Sequence, residues 1–299
     1  MSVMQSPQSG PLFDVDEFDV IYAEPDGEGL KARIYQPVRH ERESPLPAAI
    51  DVHGGAWNSY DRKAGAYYDR ALAARGMLIM AVDFRQGPTF QHPLASRDLV
   101  GAIRWLRHQA SALDVDQASI GLIGSSSGGH LALLAGLAPD ADMHQGTRLV
   151  ADGKDLDIAG TDASVRYVIA LWPVSNPAER YDYAERIGRD ELLKMQRAYF
   201  GDRDTMAAAA VTRVLDSNER AARLPDLFLL QPGADGNIPQ PMTLRLIEAW
   251  QSAEGRLDYH FVPGLPHAYG HQPSAESDDL ITAMADFIRR TLGRPSDQR

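Results

Sequence analysis

The chain has no cysteine among its 299 residues, which excludes disulfides, thiolate metal sites and thiol nucleophiles, though it does not by itself fix the compartment. It also lacks any apolar run near the ~18 residues that cross a bilayer. Its opening MSVMQSPQSG has neither the basic nor the apolar region of a signal peptide, so a cytoplasmic location is expected. Basic residues are in deficit, 30 Lys and Arg against 41 Asp and Glu, a net charge of -11. That balance argues against nucleic acid and anionic membranes as partners and disfavours polyanionic substrates. Internal repeats, low-complexity stretches and a central Gly/Ser/Pro linker are all missing, so a single domain over 12–293 is expected, between tails at 1–11 and 294–299. At 44% hydrophobic and 24% charged, the chain is globular in composition and long enough for a large core.

Along the chain, LFDVDEFDVIYA and GLKARIYQP read as paired strands joined at PDGEG, after which the order alternates. LPAAIDVHGG, MLIMAVDF, ASIGLIG, ASVRYVIALWPV, LPDLFLLQPG and RLDYHFVPG read as strands. Between and after them lie helical patterns near 60–75, in LASRDLVGAIRWLRHQA, after the ASIGLIG strand, in PMTLRLIEAWQS and in DDLITAMADFIRR. Apolar strands alternating with helices imply a parallel sheet covered on both faces. Two segments break the alternation. Residues 139–163 are polar and turn-rich and read as a surface loop with room for a small hairpin; residues 175–224 include the helical stretch RYDYAERIGRDELLKMQRAYF. An insertion there is placed to cap a pocket at the strand carboxyl ends, surface decoration being the alternative.

What the chain does have is GLIGSSSGGHLALLAG, from Gly121 to Gly136. Gly124, Ser126 and Gly128 satisfy GxSxG at the turn from an apolar strand into an apolar helix, the context of a nucleophile elbow. Ser125 and Ser127 flank the nucleophile, but only Ser126 has glycine two residues away on both sides. A serine hydroxyl needs a base, and the base an acid that fixes its tautomer. Asp235, in LLQPGADGNIP, and His267, in FVPGLPHAYG, each follow a predicted strand at the edge where Ser126 sits. His271 is a rival base, and with His267 it has the spacing of a two-histidine metal site; the surrounding Gly and Pro oppose the helix such a site needs, so no metal is expected. Asp226 precedes its strand and lies at the wrong end, and Asp83 is a distant substitute acid.

HGGAW, residues 53–57, follows another strand and offers main-chain donors for an oxyanion: Gly54 and Gly55, with the Ser127 N–H as the third. His53 and His130 read as structural. Trp57, Trp172 and Tyr269 are candidates to wall a substrate pocket, with core packing as the competing reading.

With these motifs the chain resembles, from about Phe18 to Arg290, the α/β-hydrolase superfamily, in particular the esterase/lipase group related to hormone-sensitive lipase. It is also similar to bacterial carboxylesterases and kynurenine formamidase-like enzymes. HGGAW resembles that group's HGGGW, and GSSSGG stands where GDSAGG is common. The resemblance implies an α/β-hydrolase fold with a mostly parallel eight-stranded sheet, flanking helices and a helical cap. It further implies a cofactor-free serine carboxylesterase acting on small neutral esters of short to medium acyl chain. By it the catalytic residues are Ser126, Asp235 and His267, while Asp83, Arg85 and Asp98 are structural. A homodimer is common among similar enzymes. An amidase or arylformamidase using the same triad is the alternative activity, and a non-catalytic ligand-binding protein a third reading.

Overall fold

A computed structural model describes residues 12–39 and 44–294. The expected tail at 1–11, and all but the first residue of that at 294–299, lie outside the described residues.

The sheet begins with β1 (Val15–Ala23) and β2 (Leu30–Pro37), an antiparallel pair whose turn carries Gly27 at φ +85°. Next come β3 (Ala48–Val52), α1 (Ala66–Ala73), β4 (Leu78–Val82), α2 (Leu94–His108), β5 (Gly121–Ser125) and α3 (Ser127–Leu137). β6 (Leu149–Ala151) and β7 (Lys154–Leu156) form a hairpin, followed by β8 (Tyr167–Leu171). The insertion folds as four helices, α4 (Pro177–Arg186), α5 (Asp190–Phe200), α6 (Arg203–Ala208) and α7 (Val211–Leu215). β9 (Asp226–Pro232), α8 (Gln240–Ser252), β10 (Leu257–Val262) and α9 (Ala275–Leu292) close the fold.

Strand order is β10-β9-β8-β5-β3-β4-β2-β1-β6-β7. The run from β10 to β4 is parallel and β2, β1, β6 and β7 are antiparallel. The eight strands of the expected α/β-hydrolase sheet are all present, and the 139–163 segment adds two more. Asp152 and Gly153 both have positive φ, +50° and +71°, as a type I′ hairpin turn needs. Leu149 then pairs with Ala23, and the Trp105 indole donates to the Val150 carbonyl at 2.8 Å. Burial of Leu149 and Val150 drives this docking.

Strands β3, β4, β5, β8 and β9 are buried along their whole length, which is why they read as continuous apolar runs rather than alternating ones. Alternation still assigns the faces: Ile50, Leu122, Val168 and Leu227 pack in one core layer, Ala49, Ile123, Ile169 and Phe228 in the other. Helix α3 is buried at every residue, consistent with its lack of a polar face. The carboxyl ends of the parallel strands therefore open onto one edge, held from beneath by packed layers.

Candidate active site

Ser126 occupies the single residue between β5 and α3, with φ +54° and ψ -116°. That backbone is costly for a side-chain-bearing residue, of order 1–3 kcal/mol, and persists only where the surroundings over-determine it. Here its N–H donates to the Leu171 carbonyl at 2.9 Å, and its carbonyl accepts from the His130 and Val174 N–H groups at 3.2 and 3.1 Å. The turn also packs against β3 so tightly that a Cβ on Gly128 would stand 1.9 Å from the Val52 carbonyl oxygen. This explains the second glycine of the motif.

Asp235 and His267 sit on loops that are stitched together. The Gly233 N–H donates to the Val262 carbonyl at 2.7 Å, and the Ala234 N–H to the Leu265 carbonyl at 2.9 Å. The Asp235 side chain is buried, and its Oδ1 accepts the N–H groups of Asn237 and Ile238 at 2.8 and 2.9 Å. Its Oδ2 lies 2.8 Å from His267 Nδ1, and His267 Nε2 lies 3.1 Å from Ser126 Oγ. A carboxylate is an acceptor only, so the proton on this edge of the ring belongs on Nδ1, which leaves the Nε2 lone pair facing the hydroxyl. Such an arrangement can take a proton from Oγ without moving a heavy atom.

Facing them is the turn after β3. Gly55 has φ +100°, and a Cβ there would stand 2.1 Å from the Ser59 carbonyl oxygen, so both conformation and space require glycine. The Trp57 N–H donates to Ser127 Oγ at 3.2 Å and ties this turn to the start of α3. Ser127 is the first residue of that helix, whose first N–H groups have no intrahelical acceptor. Among the described residues no protein acceptor takes the N–H of Gly54 or Gly55. These donors, with the partial positive charge of the helix start, suit a developing oxyanion.

The remaining sequence candidates sort by location. Trp57 and Trp172 are fully buried, so they are packing residues rather than walls of an open pocket. Trp57 stacks on Tyr199 at 5.5 Å, and Trp172 sets its ring 6.1 Å from His267 and 5.4 Å from half-buried Tyr269. His271 lies against Trp172 and Tyr68 rather than Ser126, and burial pushes its imidazole down to about 4. His53 holds the Gly54 carbonyl through Nδ1 at 2.8 Å. Burial lowers His130 to about 4 as well, and its neutral ring bonds the Ala209 carbonyl at 2.8 Å, joining α3 to the helical insertion. Asp83 is occupied by Arg62 at 2.9 Å, Asp98 by Arg85 at 2.7 Å, and Asp226 by Arg294 at 3.0 Å on the opposite edge. No local motif marks Arg180 and Asn237, which meet beside the Asp235 loop; Arg180 lies in a helix of ordinary amphipathic charge pattern.

The BD-FAE family profile matches residues 33–248, more than two thirds of the chain. The chain belongs to the BD-FAE family. The BD-FAE match takes in Gly54, Gly55, Ser126 and Asp235 and ends before His267. Among curated proteins this BD-FAE chain is 26% identical to the esterase LipC of Mycobacterium tuberculosis, over 82% of this chain and 59% of that one. It is 29% identical to an ethyl acetate hydrolase of Pseudomonas putida, over 57% and 49% respectively. The chain thus spans about half the length of the curated relatives it matches. Among solved structures, the esterase Est2 of Thermogutta terrifontis aligns with a TM-score of 0.69 at 25% identity, over 96% of this chain and 95% of that one. Esterase B of Lactobacillus rhamnosis, at 20% identity and a TM-score of 0.74 over 93% and 88%, shares the fold.

Proposed function

We propose that this protein is a serine carboxylesterase with Ser126 as nucleophile, His267 as base and Asp235 as the acid that orients it. The observation that carries the reading is the continuous contact from Asp235 Oδ2 to His267 Nδ1 and from His267 Nε2 to Ser126 Oγ, at 2.8 and 3.1 Å. Ser126 Oγ attacks the ester carbonyl as its proton passes to Nε2, and the N–H groups of Gly54, Gly55 and Ser127 take the charge on the carbonyl oxygen. The imidazolium then protonates the leaving alcohol. Water repeats the sequence on the acyl-enzyme and frees the acid. Nothing in this cycle calls for a cofactor. Activity falls in acid, because a protonated His267 cannot accept from Ser126.

Esters of small neutral acids are the expected substrates, and the relative named an ethyl acetate hydrolase favours the short end of the acyl range. A cytoplasmic, homodimeric protein belongs to the same reading and rests on composition and resemblance. Among the described residues no helix is long and apolar enough to cross a membrane.

The test is hydrolysis of a p-nitrophenyl ester series from acetate to dodecanoate, with wild type beside Ser126→Ala. Turnover that drops by several orders of magnitude in the variant is expected, with an optimum at short chains. A folded wild type inert on every ester, or a variant within tenfold of it, overturns the reading.

A further inference from the structure

Arg180 is a fully buried arginine without an acid beside it. It projects from the first cap helix, α4, which begins at the Asn176 cap directly after the segment that binds Ser126 through Val174. Among the described residues no carboxylate pairs with it. Its three hydrogen bonds all go to amide oxygens: Nε and Nη2 to Asn237 Oδ1 at 3.0 and 2.7 Å, and Nη1 to Gln196 Oε1 at 2.6 Å. Gln196, on α5, is pinned in turn by its own donation to the Pro177 carbonyl at 2.8 Å. A buried guanidinium costs several kcal/mol of desolvation, and an apolar side chain of similar volume fills such a site at no comparable cost. Simple filling of space is therefore a poor reason for an arginine here.

Its partner supplies a better one. Asn237 is the residue whose N–H donates to Asp235 Oδ1 at 2.8 Å, so the fork of Arg180 clamps the side chain of a residue that clamps the carboxylate. Asp235 is also the negative charge that acts on the guanidinium, offsetting part of the effect of burial and of Arg189, which together lower it to about 10. Arg180 thus remains cationic at neutral pH and compensates the buried charge of Asp235 through one intervening amide. Resting on the triad reading above, we infer that Arg180 is a positioning residue: through Asn237 it fixes the Asp235 loop, and it makes the cap a structural part of the catalytic apparatus. The two halves of this role separate chemically, because lysine keeps the charge but cannot span Asn237 and Gln196 with a rigid planar fork.

The experiment compares wild type, Arg180→Met, Arg180→Lys and Asn237→Leu on p-nitrophenyl acetate, well below each variant's Tm. In Arg180→Met the kcat is expected to fall ~10–100-fold with KM within about twofold, since the orientation of His267 loosens while the binding surface stays. A fallen kcat with an unchanged KM is a split that mere loss of folded protein does not produce. Arg180→Lys is expected to leave kcat low, because it keeps the charge but not the fork. Asn237→Leu leaves the arginine in place and cuts the link, so it too should lower kcat, and it serves if Arg180→Met does not fold. A kcat within twofold of wild type in Asn237→Leu, or an Arg180→Met enzyme with kcat unchanged, overturns the inference. Ser126→Ala is run alongside. A wild type without serine-dependent turnover defeats the triad reading, whereas serine-dependent turnover that ignores Arg180 and Asn237 defeats only this one.

Discussion

The two edges of the sheet are built by different rules. Of the nine non-glycine residues with positive φ among the described residues, six follow the carboxyl ends of parallel strands: Ala56, Trp57, Tyr60, Ser126, Trp172 and Ala268. Around them polar groups are buried deeply, with Asp235 bonded to three N–H partners and Arg180 to two amide oxygens. The amino edge solves its chemistry with ordinary means. Arg294 pairs with Asp226, and Arg166 donates to the Thr291 and Arg294 carbonyls at the end of α9. Strain, destabilising in isolation, is concentrated at the carboxyl edge, with only Asp114 and Glu254 of these nine at positive φ on the loops that lead into β5 and β10, and the buried Asp226 of the amino edge is met by an arginine rather than by a catalytic partner.

Substitutions on the two edges should then differ in kind. The largest effect is expected at Asp235→Asn, which keeps the shape but offers an amide to His267 Nδ1 and favours the wrong tautomer. kcat should fall ~10³–10⁴-fold while the Tm stays within a few degrees. Steady-state kinetics on p-nitrophenyl acetate read this out, and a loss below tenfold breaks the assignment of the acid. Next is Gly55→Ala, whose Cβ collides with the Ser59 carbonyl and turns the N–H away from the oxyanion. A fall of ~100-fold in kcat with KM little changed is expected. A drop in Tm without that kinetic loss would mean that the glycine serves folding alone.

A third test concerns pH. Asp51, near the carboxyl end of β3, is fully buried, with the Tyr68 hydroxyl at 2.9 Å from its Oδ1 and no partner for Oδ2. Burial pushes its carboxyl up to about 7, and that of neighbouring Asp69, whose oxygens are also unpartnered, well up. A carboxyl that ionises later in the folded than in the unfolded chain binds the proton more tightly when folded. The contribution of this pair to stability is therefore fully present below about pH 4 and is lost as pH rises towards about 7. Asp51→Asn should flatten this slope and raise the Tm at pH 8 by several degrees, as thermal melts between pH 5 and 8 would show; an unchanged slope assigns the trend elsewhere. The smallest effect is expected at Asp226→Asn on the amino edge: a Tm lower by roughly 2–4 °C and kcat/KM within twofold. A kinetic loss larger than the stability loss there would undo the contrast between the edges.

Much of the carboxyl edge was legible because its signals are local. GxSxG, the glycines of HGGAW, and an Asp and a His just past apolar strands each announce themselves within a few residues. The sheet was legible because β3, β4, β5, β8 and β9 are uniformly apolar. The hairpin β6–β7 was only half legible. Its Asp152-Gly153 turn is a recognisable type I′ signal, but its strands are three residues long, and their attachment to β1 depends on Trp105 and Ala23, far away in sequence. The tryptophans allowed two readings for a related reason. An aromatic beside a catalytic motif can line a cavity or pack beneath it, and Trp57 and Trp172 pack beneath it.

The sequence by itself determined the order of elements, the elbow and the identity of the groups that could react, because turn geometry and alternation of burial are set by neighbouring residues. Which distant polar groups meet inside the fold was decided by tertiary structure alone. Arg180 and Asn237 are 57 positions apart, and each looks like a surface residue until the helical insertion packs beside the Asp235 loop. Once water is excluded, a buried donor must find whatever acceptor the packing brings to it, and no local pattern records that choice.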